Sequence, residues 1–312
     1  MLDRKLIFVT GKGGVGKTSV AAALGLLAAQ RGKRVLVCEV DAKGNLADFF
    51  EAKPNKFKPQ ELTAGVYGMA MNTEESLKEY LSLQLHLPLI ARVGPLAKSF
   101  DFVANAAPGV KEILTVGKFC YEVRERNWDL VVVDAPATGH VVAQLAAPQA
   151  IRELVKVGLV REQTQWMVEQ LEDPAITGAV LVSAPEEMPV TETIELAHRL
   201  VDETEVSLAG VIVNKVLPEL FGRGEEEIFR SLQDPEAAAA LAGAVGTGIG
   251  PVLEGAQLAV TLRRSRAEHL VRLRKELPPG LPLLYLPYLF TRTHGVRTTR
   301  AMAEALSAEL GY

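Results

Sequence analysis

Apolar, largely β-branched runs recur along the chain, and longer stretches with helical spacing separate them. Most of the runs are continuous rather than alternating, which is typical of strands buried on both faces of a parallel sheet. Strands that alternate with helices predict an α/β fold with a doubly wound, mostly parallel sheet and helices on both faces. The seven predicted strands are Lys5–Thr10, Arg34–Glu39, Val66–Met71, Leu130–Asp134, Ala179–Ser183, Ala209–Asn214 and Leu283–Leu286.

Two stretches between the predicted strands are too long to be simple crossovers. Residues 73–127 and 149–173 are mostly helical in pattern, and we expect helical insertions there, beside the strand ends where such folds bind ligands. The sequence contains no internal repeat. The pattern therefore predicts a single domain that spans residues 1–312.

The first predicted strand leads into a glycine-rich loop. Residues 11–18 read GKGGVGKT and fit the phosphate-binding pattern G-x-x-x-x-G-K-[ST]. Glycine lets backbone N–H groups lie close to phosphate oxygens. Lys17 is expected at the β- and γ-phosphates, and the Thr18 hydroxyl is expected to ligate Mg²⁺. A helix over residues 19–30 would place its N-terminal dipole on the same anion.

A plain glycine-rich turn between a strand and a helix is the alternative interpretation of this loop. The strand before the loop and the helix-forming stretch after it favour phosphate binding. The nucleotide-binding residues predicted here are Gly11, Lys12, Gly13, Gly14, Val15, Gly16, Lys17, Thr18 and Ser19.

Carboxylates end two further predicted strands. Asp41 follows the second strand, where a carboxylate can orient water in line with a γ-phosphate, and Glu39 is the fallback candidate. Asp134 ends an apolar run in the form of a Walker B element, which predicts contact with Mg²⁺ through water, opposite Thr18. The alternatives are a helix-capping role for Asp41 and a turn-capping role for Asp134.

The residues after Asp134 predict a flexible loop beside the γ-phosphate. Thr138, Gly139 and His140 supply hydrogen-bonding groups there. His140 as a metal ligand is the alternative, but no neighbouring Cys/His cluster supports it. A nucleotide-sensing role therefore fits this segment better.

Composition narrows the class of protein. A net charge of −4 over 312 residues gives no electrostatic footprint for nucleic acid, and no nucleic-acid partner is expected. Basic residues do cluster between 263 and 275, which fits either a solvated helix face or a contact surface for a partner or anionic lipid. The start of the chain resembles no signal peptide and no apolar run is long enough to cross a membrane, so we expect a cytoplasmic location.

Two motifs carry a family resemblance. KGGVGKT resembles the signature-lysine loop of P-loop ATPases that dimerise over nucleotide, the group of MinD, ParA, nitrogenase iron protein and ArsA. Asp134-x-x-x-Thr-Gly-His is similar to the switch II motif DTAPTGH of the ArsA-type ATPases. DAKGNLADFF at residues 41–50 is similar to DPAHNLSDAF in that family, although Ala42, Lys43 and Gly44 depart from the pattern.

The resemblance implies roles for individual residues. Lys12 would reach across a dimer to the phosphates of the partner, which makes Lys12, Lys17 and Asp41 the predicted catalytic residues. A solvated loop lysine is the alternative for Lys12. Asn214 would contact the adenine base at a strand end of the VNQ type, and Pro287 would belong to the late wall of the adenine site.

The resemblance also implies an overall activity. The expectation is an ATP-hydrolysing, Mg²⁺-dependent dimeric switch, paired with itself or a paralogue, that handles a client protein or a membrane partner. The chain has two cysteines and no CxxC motif, so neither arsenite transport nor tail-anchored-protein delivery follows. A MinD/ParA-like positioning ATPase and a small-molecule kinase on the same scaffold remain the alternatives.

Overall fold

The computed structural model of the chain describes residues 1–40, 45–85, 109–155, 157–246, 248–291 and 293–312. Within these ranges the strands are β1 (Leu6–Gly11), β2 (Val35–Glu39), β3 (Gln60–Thr63), β4 (Val66–Ala70), β5 (Leu130–Ala137), β6 (Thr177–Ser183), β7 (Leu208–Val216) and β8 (Leu283–Pro287). The helices are α1 (Lys17–Gln30), α2 (Asn45–Asp48), α3 (Thr73–Leu85), α4 (Val110–Arg124), α5 (Thr138–Leu154), α6 (Leu159–Glu172), α7 (Glu187–Glu203), α8 (Arg223–Ser231), α9 (Pro235–Val245), α10 (Ile249–Glu276) and α11 (Val296–Glu309).

One sheet joins all of these strands in the order β3-β4-β2-β5-β1-β6-β7-β8. Neighbouring strands are parallel except for the edge pair β3 and β4, which is antiparallel. Strand β1 lies inside the sheet between β5 and β6, so the loop that follows it emerges at the carboxyl edge with a neighbouring strand on each side. The predicted mostly parallel α/β fold is confirmed.

Two hydrophobic layers cover the sheet because successive side chains of a strand point to opposite faces. On β1, Leu6 and Phe8 lie in one cluster, whereas Ile7 and Val9 lie in the other. Helices α4, α5, α6 and α7 contribute to the first cluster, and α1 and α11 contribute to the second. Burial of each such aliphatic or aromatic side chain contributes about 1.5–3 kcal/mol. The doubly wound arrangement therefore holds β1 rigidly from both faces.

Strand β3 was not among the seven predicted strands. Residues 60–63 read QELT and are partly exposed, so they lack the continuous apolar run that marked the others. The strand forms because Gly65, at φ 80°, turns the chain back so that β3 lies antiparallel on β4. An edge strand with one side in solvent carries too weak a hydrophobic pattern to be recognised locally.

Helices occupy both predicted insertions. The first contains α3 and α4, and residues 86–108 between them lie outside the described part of the chain. The second contains the C-terminal end of α5 and the whole of α6. Across the described residues, none of the helices combines the length and the apolar character needed to cross a bilayer.

A buried polar cluster joins α3 to α4. The ammonium of Lys118 on α4 lies 2.6 Å from the Glu79 carboxylate on α3 and 2.7 Å from Glu122. The indole N–H of Trp128 donates to Glu122 at 2.8 Å. Burial lowers the pKa of Lys118, but its hydrogen bonds with both carboxylates outweigh that effect and the net shift is upward. This cluster fixes the two helices of the first insertion to each other.

Candidate functional site

Neighbouring strands leave no room for a side chain at two glycines of the segment that joins β1 to α1. Gly11 has φ 151°, and a Cβ there would lie 2.1 Å from the carbonyl oxygen of Val182 on β6. Gly16 has φ 94°, and a Cβ there would lie 2.4 Å from the side-chain nitrogen of Asn214 on β7. Side chains at Gly13 and Gly14 would meet open space instead. The neighbouring strands therefore shape the ends of the loop and leave its middle accessible.

The start of α1 is suited to an anion. Gly16 is its N-cap and makes no side-chain capping bond, so the N–H groups of the first turn remain accessible to a ligand. Lys17 opens the helix, and its Nζ donates to the carbonyl oxygen of Lys12 at 3.3 Å. Val15 and Ser19, which complete the predicted set, are buried. The loop thus combines a cation with backbone donors, which is the chemistry that a phosphate group requires.

Two predicted Mg²⁺ residues lie together. The Thr18 hydroxyl donates to Oδ2 of Asp134 at 2.6 Å, although 116 positions separate the two residues. Asp134 is 8% exposed and lies within β5, three residues before its end. A hydroxyl and a carboxylate are hard oxygen donors of the kind that Mg²⁺ takes, so these residues fit the ion.

The segment after Asp134 differs from the predicted flexible loop. Strand β5 continues to Ala137, and Thr138, Gly139 and His140 form the first turn of α5. The strand extends because its end pairs with β1, where Gly11 is the register partner of Ala137. The start of α5 therefore lies beside the phosphate-binding loop, and its N-terminal dipole is available at the same edge.

Lys12 is held within its own chain. Its ammonium forms an ion pair with the Glu192 carboxylate on α7. The side chains of Lys12 and Glu192 are 27% and 29% exposed, respectively. Sequence analysis did not identify Glu192, because no motif links two residues 180 positions apart.

Two side chains at the end of β7 form hydrogen bonds with the phosphate-binding loop. The Asn214 side chain donates to the carbonyl oxygen of Val15 at 2.9 Å, and Lys215 Nζ donates to that of Gly14 at 2.8 Å. Lys215 has φ 61°, a left-handed conformation that is strained for a residue with a side chain. Pro287 is exposed at the end of β8, in register with Val216. Contacts of Asn214 and Pro287 with adenine stay predictions.

The two candidate catalytic carboxylates predicted from the sequence are Asp41 and Glu39. Asp41 lies outside the described residues. Glu39 is buried at the end of β2 in register with Asp134, and its Oε1 accepts a bond from the Leu46 amide of α2 at 3.4 Å. Glu39 therefore contacts the segment that follows Asp41, on the same edge as the phosphate-binding loop.

Comparison with known proteins identifies the family. The model of the anion-transporting ATPase family matches residues 4–164 and 153–233, which together cover most of the chain. The chain belongs to this ATPase family, and the predicted resemblance to the ArsA-type ATPases is confirmed.

Individual relatives agree with this assignment. ATPase BagA of Mycobacterium tuberculosis is 32% identical over 225 residues, which cover 69% of this chain and 66% of the relative, just under two thirds of its length. A putative arsenical pump-driving ATPase of Halobacterium salinarum is 26% identical over 70% of this chain and 37% of its own length. An ATPase ASNA1 homolog of Entamoeba dispar is 25% identical over 69% of this chain and 77% of its own length.

Proposed function

We propose that the chain hydrolyses ATP in an Mg²⁺-dependent manner and works as a dimeric switch that handles a client protein or a membrane partner. The observation that carries the proposal is the hydrogen bond between Thr18 and Asp134 beside a glycine loop open to ligand. The family match and the ATPase relatives support the same activity.

Each residue of the site has a distinct part in this activity. The loop amides and Lys17 bind the β- and γ-phosphates and keep the terminal phosphoryl group in a fixed orientation. Thr18 and Asp134 would hold Mg²⁺, which when bound neutralises charge on the phosphate oxygens. Asp41 orients the attacking water, and Lys12 of a second protomer stabilises the negative charge that develops on the transferred group.

Phosphate release by the purified chain tests the activity. We expect turnover with Mg²⁺, no turnover with excess chelator, and loss of most turnover in both Lys17→Ala and Asp134→Asn. Lys53→Ala is the matched control, because Lys53 is an exposed lysine outside the site. Wild-type turnover in Lys17→Ala would show that the loop does not bind the phosphates and would overturn the proposal.

The basic cluster gives little support to a surface-positioning role. Arg263 lies 3.2 Å from Glu219, Arg264 pairs with Glu226, and Arg266 lies 3.4 Å from the Glu186 carboxylate. Because these cations of α10 are engaged by carboxylates of their own chain, less positive charge remains for an anionic surface. Sedimentation with anionic liposomes in the presence of ATP separates the two functions, and the switch proposal expects the protein to stay in the supernatant.

The client is best sought in a nucleotide-trapped state. The chain loaded with a non-hydrolysable ATP analogue serves as bait, and the same chain with ADP is the comparison. We expect a partner that is retained with the analogue and released with ADP, because a switch binds its client in one nucleotide state.

A further inference from the structure

We propose that Glu192 is a positioning residue for Lys12. In the monomer, the Glu192 carboxylate pairs with the Lys12 ammonium of the same chain. Docking of an ATP-loaded partner breaks this ion pair. The inference rests on the proposed dimeric function, because it concerns the same lysine. We refer to the contact between Lys12 and Glu192 as the cis ion pair.

The cis ion pair is partly shielded but open to competition. With exposures of 27% and 29%, both side chains are less hydrated than groups on a flat surface, so their attraction is screened less by water. The same exposure leaves part of each side chain accessible from solvent. An anion that approaches Lys12 from another molecule can therefore compete with Glu192 for it.

Helix α7 fixes the position of Glu192. Val190 and Thr193, which flank Glu192 in the sequence, are buried, and they anchor this part of the helix in the core. On the outer side, the Arg272 guanidinium of α10 donates to the Thr191 hydroxyl at 2.9 Å. Because Glu192 lies between these anchored positions, α7 presents its carboxylate to Lys12 from a fixed backbone.

Charge decides which partner Lys12 keeps. A single carboxylate carries one negative charge, whereas the triphosphate of ATP carries several and ADP carries fewer than ATP. Attraction scales with the product of the charges at equal distance, so an ATP-loaded partner competes for Lys12 better than an ADP-loaded one. The cis ion pair costs the same to break in either case, so it allows docking of an ATP-loaded partner and opposes that of an ADP-loaded partner, whose attraction for Lys12 is weaker.

Glu192→Gln tests this function, because it removes the charge and keeps the shape of the side chain. Partly exposed ion pairs contribute little, and breaking one is expected to change an equilibrium by about two- to five-fold. A symmetric dimer must break two of them, so we expect its dissociation constant with a non-hydrolysable ATP analogue to fall by about four- to twenty-five-fold. Sedimentation velocity over a protein dilution series measures this constant.

Three variants separate positioning from a structural effect. Glu195→Gln, an exposed glutamate on the same helix, should behave as wild type. Glu192→Asp should restore weaker dimerisation, because it restores the charge. In a Lys12→Ala background, Glu192→Gln should have no effect on dimerisation, since Glu192 acts through Lys12.

The cis ion pair can also be measured without nucleotide. Competitive amine labelling, read by mass spectrometry, should modify Lys12 faster in Glu192→Gln than in the wild type or Glu195→Gln. Labelling at the wild-type rate, or a Glu192→Gln effect on dimerisation that persists in the Lys12→Ala background, would overturn the inference alone. A wild-type chain that hydrolyses ATP but never dimerises with nucleotide would overturn both this inference and the dimeric part of the proposed function.

Discussion

At the scale of single residues, Asp41 is the predicted water-orienting carboxylate and Glu39 is the fallback candidate. Asp41→Asn should keep ATP binding and lose about 10²–10⁴-fold in turnover, because the variant loses the water-orienting group but not the phosphate-binding loop. Fluorescent-nucleotide titration and phosphate release measure the two effects separately. The same two measurements on Glu39→Gln are the comparison, since Glu39 is buried and accepts a hydrogen bond from the Leu46 amide. Parallel loss of binding and turnover in Asp41→Asn would indicate a metal-holding or structural role instead.

The two thiols are also informative at this scale. Burial raises the pKa of Cys120 to about 12 and that of Cys38 well above its usual value. Because the thiolate is the form that reacts with metalloids and disulfides, both side chains are inert near neutral pH. We expect no reaction of the folded chain with Ellman's reagent, two reactive thiols after denaturation, and a turnover rate that arsenite leaves unchanged. Arsenite stimulation would show that buried thiols become accessible during the cycle.

At the scale of secondary-structure elements, the Lys118 cluster determines how α3 meets α4. Lys118→Met leaves Glu122 buried beside Trp128 without its cation, which should lower the free energy of unfolding by about 3–5 kcal/mol. Lys78→Met removes an exposed pair with Glu74 on α3 and should cost less than about 0.5 kcal/mol. Urea unfolding measures both. An equally small loss in the two variants would show that the buried cluster contributes no more than a surface pair.

The same cluster predicts a pH dependence with a definite sign. The pKa of Lys118 is raised in the folded chain relative to its ordinary value of 10.5. A base whose pKa is higher in the folded chain than in the unfolded chain stabilises the fold at pH values below its unfolded pKa. This contribution is lost as the pH rises through the folded pKa. The difference in stability between the wild type and Lys118→Met should therefore stay constant near neutral pH and shrink only above about pH 10.5.

Local patterns predicted the strands that are buried on both faces and missed strand β3 and the helical start of α5. The seven predicted strands all lie in the sheet, because continuous apolar runs report their own burial. Strand β3 is a partly exposed edge strand without a continuous apolar run, and the helical start of α5 depends on the long-range pairing of β5 with β1. The glycine-loop motif located Thr18 and the Walker B pattern located Asp134, whereas Glu192 became visible only once the fold placed α7 beside the loop.

At the scale of the whole molecule, the proposed role of Lys12 would make hydrolysis depend on a second chain. A cation supplied by a partner contributes on the order of 10³–10⁵ in rate, by analogy with an arginine finger. Lys12→Ala should therefore stop hydrolysis while nucleotide binding by one protomer is largely retained. Light scattering with and without a non-hydrolysable analogue, together with turnover at several protein concentrations, measures this. Turnover that is unaffected by Lys12→Ala and independent of concentration would favour the kinase-like alternative.

The shallow burial of α9 and α10 has a consequence for how the molecule opens. None of the residues of α9 is buried, and Leu273 alone is buried on α10, whose earlier turns contact the rest of the chain through ion pairs such as Arg264 with Glu226 and Arg266 with Glu186. Such pairs contribute little and weaken with salt. Amide hydrogens of α9 should exchange with deuterium long before those of β1, and added salt should accelerate α9 and the outer turns of α10 without affecting β1. Ionic strength would thus control how often α9 and α10 detach from the molecule while the sheet remains intact.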